Sequence, residues 1–461
     1  MLNRFKYCVM STAQALRNLL LNGPMPAGQL ISALDTSKAS LSRLVSSTPG
    51  VLRLGRARAT KYALAREIRT MGSRWPVYRV DVRGRAELLG HLQAIEPRAW
   101  LFEWVGVKPD WLIGQFAEGL FPDLPWFLDD LRPQGFVGRA FARRYSEMLG
   151  LSPDPRLWDA AGVLVALLSF GDDLPGDLIV GDQSLERFQR AALRQPPAIP
   201  CGERTARYEE NASAALQGEM PGSSAAGEQP KFTACVEDAD GPRHVLVKFS
   251  PLLDTPSGRR WGDLLVCEHL AAELLREEGF PACDTQVLEG GGRRFLEVTR
   301  FDRVGAFGRR GFTTLMPLDS AHYGKLDTWL AAAERLAQDG WLTAETATRL
   351  RLLWWFGGLI GNSDMHFGNV GITLDALPAQ LAPAYDMLPM LFRPEAGGEI
   401  VARSFAPPLP NPGQVAVWWQ AAELAGVFWQ RVISDGRIGA EMRVEAERSL
   451  DVLRRARERI G

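Results

Sequence analysis

The chain has 461 residues, of which 46% are hydrophobic and 23% are charged, a composition typical of a folded protein with two or three domains. This composition excludes an intrinsically disordered or collagen-like chain. The longest strongly apolar run, residues 160–170, is about half of the roughly 20 residues that a membrane span needs. We therefore expect no transmembrane helix and no membrane partner.

The five cysteines are scattered, and no two of them form a C-x-x-C pair. The first residues also lack the apolar core and small-residue cleavage site of a signal peptide. These features predict a cytoplasmic protein in a reducing compartment, with neither a disulfide framework nor a cysteine-based zinc site.

The net charge of −1 hides a strong asymmetry. Residues 1–70 contain eleven Lys and Arg but only two acids, so this end carries a formal charge of +9 and the rest of the chain carries −10. Such a separation indicates an amino-terminal module that binds a polyanion.

The pattern of residues 1–70 predicts a winged helix-turn-helix. Apolar spacing indicates helices over 11–21, 27–34 and 37–47, the last of them capped by Thr36, and a basic hairpin over 51–64. Such a module places a helix in the major groove and its wing against phosphates. The candidate DNA-binding residues are Lys38, Ser40, Arg43, Arg56, Arg58 and Lys61. A small helical domain that uses its basic face for protein contacts is the alternative.

The region that follows carries no chemical motif. Alternation over residues 77–82 predicts a strand, and residues 86–94 are predicted to form a helix. Proline-rich and tryptophan-rich stretches then continue to residue 139, and we assign the whole region a packed α+β structure.

A small-residue loop over 221–231 precedes two strand-like runs, 232–236 and 244–249, the second of which contains Lys248. Such a loop and lysine can hold the phosphates of a nucleotide, although a mobile surface turn explains the same loop. The helix predicted over 264–277 offers Glu268 or Glu273 as a partner for Lys248. The alternative is that both acids are solvated.

The most informative segment, residues 361–372, follows a very apolar predicted helix over 350–360. Asp364 and Asn369 are five residues apart, which is the spacing of the base and the metal-binding asparagine in kinase catalytic loops. Asp386 follows on an apolar background suited to a second metal-binding carboxylate. The D-x-H-x-x-N and Y-D patterns also resemble the loops of aminoglycoside phosphotransferases. For His366, bracing of the loop backbone is favoured over a role as base or metal ligand.

Together these motifs resemble the HipA family of serine/threonine protein kinases, the toxins of HipBA-type toxin-antitoxin systems. The resemblance covers most of residues 76–400. Its motifs are S-x-A-G-x-Q-x-K at 224–231, V-K-F-S-P around Lys248, R-F-D-R at 300–303, G-N-S-D-x-H-x-x-N at 361–369 and Y-D at 385–386. The basic amino-terminal module and the L-R-P-Q-G-F-V-G-R-A-F run at 131–141 are most similar to the YjjJ (HipH) branch, in which a DNA-binding module is fused to the kinase.

The resemblance implies an α+β, two-lobed protein-kinase-like fold behind the winged helix-turn-helix, with lobes over 76–300 and 301–461. It implies Asp364 as catalytic base, Asn369 and Asp386 as Mg²⁺ ligands, and Lys248 as the phosphate-contacting lysine. The remaining residues expected to bind ATP are Ala226, Gly227, Glu228, Gln229, Lys231, Val298, Thr299, Phe301, His366 and Tyr385. Ser224 matches a loop serine that is autophosphorylated in HipA kinases, and Ser223 beside it leaves the acceptor open.

Two departures stand out: Pro230 and Thr299 occupy positions where HipA carries glutamates. The sequence therefore predicts an ATP- and Mg²⁺-dependent kinase acting on a protein substrate, with DNA as a second partner. An antitoxin and a homodimer remain open. The alternatives are a DNA-binding regulator whose kinase-like part is inactive, and a small-molecule kinase of the aminoglycoside type, which does not account for the loop serine.

Overall fold

The computed structural model describes residues 12–55, 60–194, 197–217 and 229–460. The amino-terminal module contains the three predicted helices, and both strands of the predicted hairpin join a three-stranded antiparallel sheet in the order β1-β3-β2. The elements are α1 (Thr12–Leu20), β1 (Met25–Pro26), α2 (Ala27–Ala33), α3 (Lys38–Ser47), β2 (Val51–Leu54) and β3 (Lys61–Leu64). One detail of the prediction is wrong. The cap of α3 is Ser37 and not Thr36, because the Ser37 hydroxyl accepts from the Ser40 N–H at 3.1 Å.

Backbone hydrogen bonds attach this module to the region that follows. The Arg66 N–H donates to the Ala94 carbonyl, and the Glu96 N–H donates to the Leu64 carbonyl, both at 2.9 Å. Leu54 and Ala63 are buried against Ile95 in the same place. The module is therefore packed onto its neighbour.

The middle region is built on an antiparallel five-stranded sheet in the order β7-β6-β5-β4-β8. Its elements are β4 (Arg74–Val80), β5 (Ala86–Ala94), β6 (Trp100–Trp104), β7 (Leu120–Phe121), α4 (Gly135–Leu149), α5 (Ala160–Phe170), β8 (Leu178–Val180) and α6 (Asp182–Arg194). The helix predicted over 86–94 is wrong, because this segment is strand β5. It pairs with β4 on one side and β6 on the other, so sheet pairing outweighs the helix propensity of its Leu, Glu and Ala residues.

A second antiparallel sheet, in the order β11-β12-β10-β9, carries Lys248. The elements here are α7 (Arg204–Gln217), β9 (Lys231–Asp238), β10 (Gly241–Phe249), α8 (Pro256–Glu277), β11 (Thr285–Gly290) and β12 (Arg293–Thr299). Tyr208 of α7 is buried with Val245 and Phe295 on one face, while Leu265 of α8 is buried with Leu296 and Val298 on the other. This alternation points Lys248 and Val298 away from α7.

The rest of the chain is mainly helical. Its elements are β13 (Arg303–Val304), β14 (Gly308–Arg309), β15 (Phe312–Thr314), α9 (Leu315–His322), α10 (Trp329–Gln338), α11 (Ala344–Leu359), β16 (Gly371–Thr373), α12 (Val415–Ser434) and α13 (Ala440–Ile460). Helix α11 packs against both α10 and α12. Its apolar residues are buried, as predicted for the helix before the Asp364 loop.

One cluster of buried apolar side chains extends from Ile68 through the middle sheet to Ala456 in α13. The middle region and the helical part therefore share a core. Within the described ranges, no helix has the length and apolar character needed to cross a bilayer.

Candidate active site

A cavity of about 220 Å³ lies where the second sheet, the helical part and the middle region meet. Eight of the predicted ATP-binding residues line it: Lys231, Lys248, Val298, Thr299, Phe301, His366, Tyr385 and Asp386. Gln229, Asp364 and Asn369 do not line it. Five predicted loop residues lie outside the described residues, namely Ser223, Ser224, Ala226, Gly227 and Glu228.

Lys248 connects the sheet to two acids. Its Nζ atom is 2.5 Å from Glu268 Oε1 on α8, and it also forms an ion pair with Asp386 Oδ1. Of the two partners that the sequence offered, Glu268 is thus the one that pairs with Lys248, whereas Glu273 Oε1 lies 3.5 Å from His269 Nε2. Lys231 is the cross-strand neighbour of Lys248 and is also buried. Two lysines and two acids therefore meet at one end of the cavity.

The pKa values of this group reflect burial opposed by pairing. Burial lowers the pKa of Lys248, but Asp386 and Glu268 outweigh it and raise that pKa above its ordinary value. Burial raises the pKa of Asp386, and Lys248 with Lys231 brings it below the ordinary value. Lys248 and Asp386 are consequently held in their charged forms.

The loop after α11 is braced by side-chain amides. Asn362 Nδ2 donates to the Asp386 carbonyl, and Asn362 Oδ1 accepts from the Asp364 N–H, both at 3.0 Å. Asn369 Nδ2 donates to the Asp364 carbonyl at 2.8 Å. His366 Nδ1 accepts from the Gly368 N–H at 3.0 Å, which is the bracing contact predicted for it. These bonds fix Asp364, Asn369 and Asp386 relative to one another.

The residues expected to hold Mg²⁺ are chemically suited to it. Asn369 uses Nδ2 to donate to the Asp364 carbonyl, which leaves its amide oxygen available as a ligand atom. Asp386 adds a carboxylate. Mg²⁺ prefers such hard oxygen ligands and is usually held by one or two protein groups together with phosphates. The donor set therefore fits this ion.

The opposite end of the cavity is aromatic and follows β12. Phe301 is stacked on Tyr385 with ring centroids 6.0 Å apart, and it meets Phe312 edge-on at 4.8 Å. Among the described residues, neither the N–H nor the carbonyl of Phe301 has a hydrogen-bond partner. A backbone edge with donor and acceptor beside aromatic rings suits a planar heterocyclic base.

Thr299, one of the two departures, directs its hydroxyl away from the cavity. Its Oγ1 accepts from Arg243 Nη1 at 2.7 Å, on the face of the sheet where Glu297 is buried. The Thr299 side chain, which stands in place of the HipA glutamate, therefore does not face the space available to a base.

The R-F-D-R motif forms a buried ionic network. Asp302 accepts from Arg300 at 2.8 Å and from Arg303 at 2.6 Å, and it also accepts from the Gly176 N–H at 3.0 Å. The two arginines outweigh burial and lower the pKa of Asp302. This network ties the segment after β12 to the middle region.

Sequence reasoning missed the contribution of the middle region to the cavity. Its wall residues are Asp129, Asp130, Arg132, Gln134 and Pro175. The run at 131–141 carries the resemblance to the family, but no residue spacing in it indicates a ligand-binding site.

On the amino-terminal module, Lys38, Arg43 and Lys61 are exposed, and Ser40 is half-buried. Arg43 Nη2 lies 3.4 Å from Ser40 Oγ, so these two side chains share one face of α3. Arg56 and Arg58 lie outside the described residues.

Comparison with known proteins is consistent with this architecture. Residues 71–189 match the family described as YjjJ-like toxin, middle domain, and residues 223–442 match the HipA-like C-terminal domain. Toxin YjjJ of Escherichia coli (strain K12) is 39% identical over 447 residues, which cover 97% of this chain and 98% of that protein.

Among solved structures, a chain of the Shewanella oneidensis MR-1 complex of HipA, HipB and operator DNA matches with a TM-score of 0.52 and 15% identity, over 84% of this chain and 97% of that chain. The Helicobacter pylori proinflammatory kinase CtkA matches with a TM-score of 0.34 and 12% identity, over 49% of this chain and 91% of that chain.

The sheet that carries Lys248, joined to a helical part that carries the Asp364 loop, defines a two-lobed, kinase-like protein of the HipA type. More narrowly, the chain belongs to the family of YjjJ-like toxins. Both the predicted family and the predicted kinase-like fold are confirmed.

Proposed function

We propose that the chain is an ATP- and Mg²⁺-dependent serine/threonine protein kinase that acts as a toxin. The observation that carries this proposal is the contact of Lys248 with both Glu268 and Asp386 in a cavity that Phe301 also lines, where the backbone of Phe301 has no hydrogen-bond partner among the described residues. A cationic end and an aromatic end in one cavity match the two ends of a nucleoside triphosphate.

In the proposed reaction, the base lies against Phe301 and Val298, and Lys248 with Lys231 contacts the phosphates. Mg²⁺ held by Asn369 and Asp386 would neutralise phosphate charge. Asp364 orients the acceptor hydroxyl and takes its proton while the hydroxyl oxygen bonds to the γ-phosphorus. The bond from that phosphorus to the β–γ bridging oxygen breaks, and ADP leaves. Positioning and charge neutralisation supply most of the rate.

The direct test is incorporation of label from γ-labelled ATP by the purified full-length protein with Mg²⁺. We expect Asp364→Asn and Asp386→Asn each to abolish incorporation. Asp375→Asn, which changes an exposed acid outside the cavity, should leave it intact. Incorporation that survives both active-site changes would contradict the proposal.

A second part of the proposal is autophosphorylation at Ser224 or Ser223. Peptide mapping of the labelled protein should place phosphate on this pair, and Ser224→Ala compared with Ser223→Ala identifies the acceptor. Label found only elsewhere would remove this part of the proposal and leave the kinase assignment in place.

We further propose that the amino-terminal module binds DNA through Lys38, Ser40, Arg43, Lys61 and the wing residues Arg56 and Arg58. The +9 charge and the exposed cations on α3 and β3 support this. The Shewanella structure contains HipA together with HipB and operator DNA. By analogy we also propose that a separate antitoxin binds this chain. A gel shift with the upstream region of the gene, repeated after deletion of residues 1–70, tests the module; binding that survives deletion would contradict it.

A further inference from the structure

The middle region contributes charged side chains to the wall of the cavity. Its acids are Asp129 and Asp130, which lie within the segment matched by the YjjJ-like middle domain. Neither residue belongs to the Lys248 group, the Phe301 edge or the Asp364 loop.

Asp130 is a partly buried carboxylate that has no ion-pair partner in the described part of the chain. It accepts from the Thr314 N–H at 2.6 Å, from Thr314 Oγ1 at 2.8 Å and from Thr313 Oγ1 at 3.0 Å. Burial raises the pKa of this carboxyl, and the neighbouring charge of Asp129 adds to the increase. A protein tolerates such an acid when hydrogen-bond donors surround it.

Asp129 is more accessible. Its Oδ1 forms an ion pair with Arg132 Nε, and 38% of its side chain is exposed. Within the described residues, Asp129 Oδ2 has no hydrogen-bond donor. Asp129 thus presents an acceptor atom to the cavity, beside the fixed carboxylate of Asp130.

Both acids line the same cavity as Lys248 and Phe301. Asp130 is held by Thr314 of β15, and Phe312 of the same strand meets Phe301 edge-on at 4.8 Å. Tyr385 in turn stacks on Phe301 and precedes Asp386 in the chain. A nucleotide with its base at Phe301 and its phosphates at Lys248 must place its sugar between them, because the sugar joins the two covalently.

We propose that Asp129, which lies beside Asp130 in the cavity wall, accepts hydrogen bonds from the ribose hydroxyls of the nucleotide, so that the middle region selects ribonucleotides over deoxyribonucleotides. This inference rests on the proposed kinase function. It assigns the middle region a direct part in substrate recognition.

The test compares the dissociation constants of Mg-ATP, Mg-2′-deoxy-ATP and Mg-3′-deoxy-ATP for the full-length protein. A hydrogen bond to a charged group implies that the unaltered protein binds ATP on the order of tenfold more tightly than at least one deoxy analogue. Asp129→Ala should bring that ratio close to one. Arg132→Ala breaks the same ion pair but keeps the carboxylate, so it should retain the discrimination.

Equal affinity of the unaltered protein for ATP and both analogues, or an unchanged ratio in Asp129→Ala, would overturn the inference. If label transfer persists in either case, the kinase proposal stands without it. If the protein binds no ATP at all, both the ribose inference and the kinase proposal are contradicted.

Discussion

The cavity and the amino-terminal module both depend on charged side chains, but they expose them in opposite ways. Lys248 and Glu268 each have only 3% of the side chain exposed, whereas Lys38, Arg43 and Lys61 face solvent. A buried charge interacts strongly with a few fixed partners, and an exposed charge is screened by salt over about 10 Å. Substitutions in the cavity should therefore have large effects that depend on particular partners, and those in the module should have small effects that depend on salt.

The largest effect is expected for Lys248→Met. Loss of the ammonium removes the contact proposed for the phosphates, so the rate of phosphate transfer should fall on the order of 10²- to 10³-fold. Initial rates of label incorporation at saturating Mg-ATP measure this. Lys325→Met replaces an exposed lysine and serves as the control.

The same variant should also lose stability, because the buried Glu268 and the partly buried Asp386 lose the cation that they share. Adding Glu268→Gln should recover part of that stability but none of the activity. A Lys248→Met protein with unaltered activity would show that the buried charges serve only the fold.

The next effect concerns Glu297, whose side chain is fully buried. It accepts from Tyr208 Oη at 2.6 Å and from Arg243 Nη2 at 2.5 Å, so Glu297→Ala leaves the buried Tyr208 hydroxyl without this acceptor and removes one partner of Arg243. We expect the free energy of unfolding to fall by about 3–5 kcal/mol in urea denaturation.

The matched control is Glu289→Ala, which breaks an ion pair with Arg294 at a half-exposed carboxylate. That loss should be about 0–1 kcal/mol. Similar losses for the two variants would mean that burial does not set the strength of these pairs.

A smaller, pH-dependent effect is expected from His322, which meets Phe116 of the middle region and Trp341 of the helical part edge-on. Burial lowers the pKa of His322 to about 4. The unfolded chain therefore binds this proton more readily than the folded chain. The contribution to stability is fully present above about pH 6.5 and is lost as the pH falls towards 4.

His322→Phe keeps a ring at this contact but removes the titrating group. Urea midpoints at about pH 7.5 and about pH 5 should differ less for this variant than for the unaltered protein. An equal pH dependence of the two proteins would exclude His322 as its source.

The smallest effect is expected in the module. If Arg43 contacts one phosphate, Arg43→Ala should reduce the slope of log affinity against log salt by about 0.9. A gel shift across a salt series measures the slope, with Arg448→Ala on the distant helix α13 as the control. An unchanged slope would place Arg43 outside the DNA contact.

Spacing and residue chemistry were sufficient to predict much of this molecule. The helices of the module follow from apolar periodicity, and the joint contribution of Lys248 and Asp386 to one cavity follows from the motif set. The segment 86–94 was mispredicted because its composition favours a helix, while its pairing with β4 and β6 involves residues that local patterns do not reveal.

The sequence by itself determined the charged groups, their order and the kinase-like motif set, because these depend on residue identity and spacing. Only the tertiary structure decided that Glu268 and not Glu273 pairs with Lys248, that Thr299 turns away from the cavity, and that the middle region completes its wall. The physical reason is that side-chain direction and contacts between distant segments follow from sheet pairing and packing. Asp130 and Thr314, which are far apart in the chain, meet only when the core closes around them.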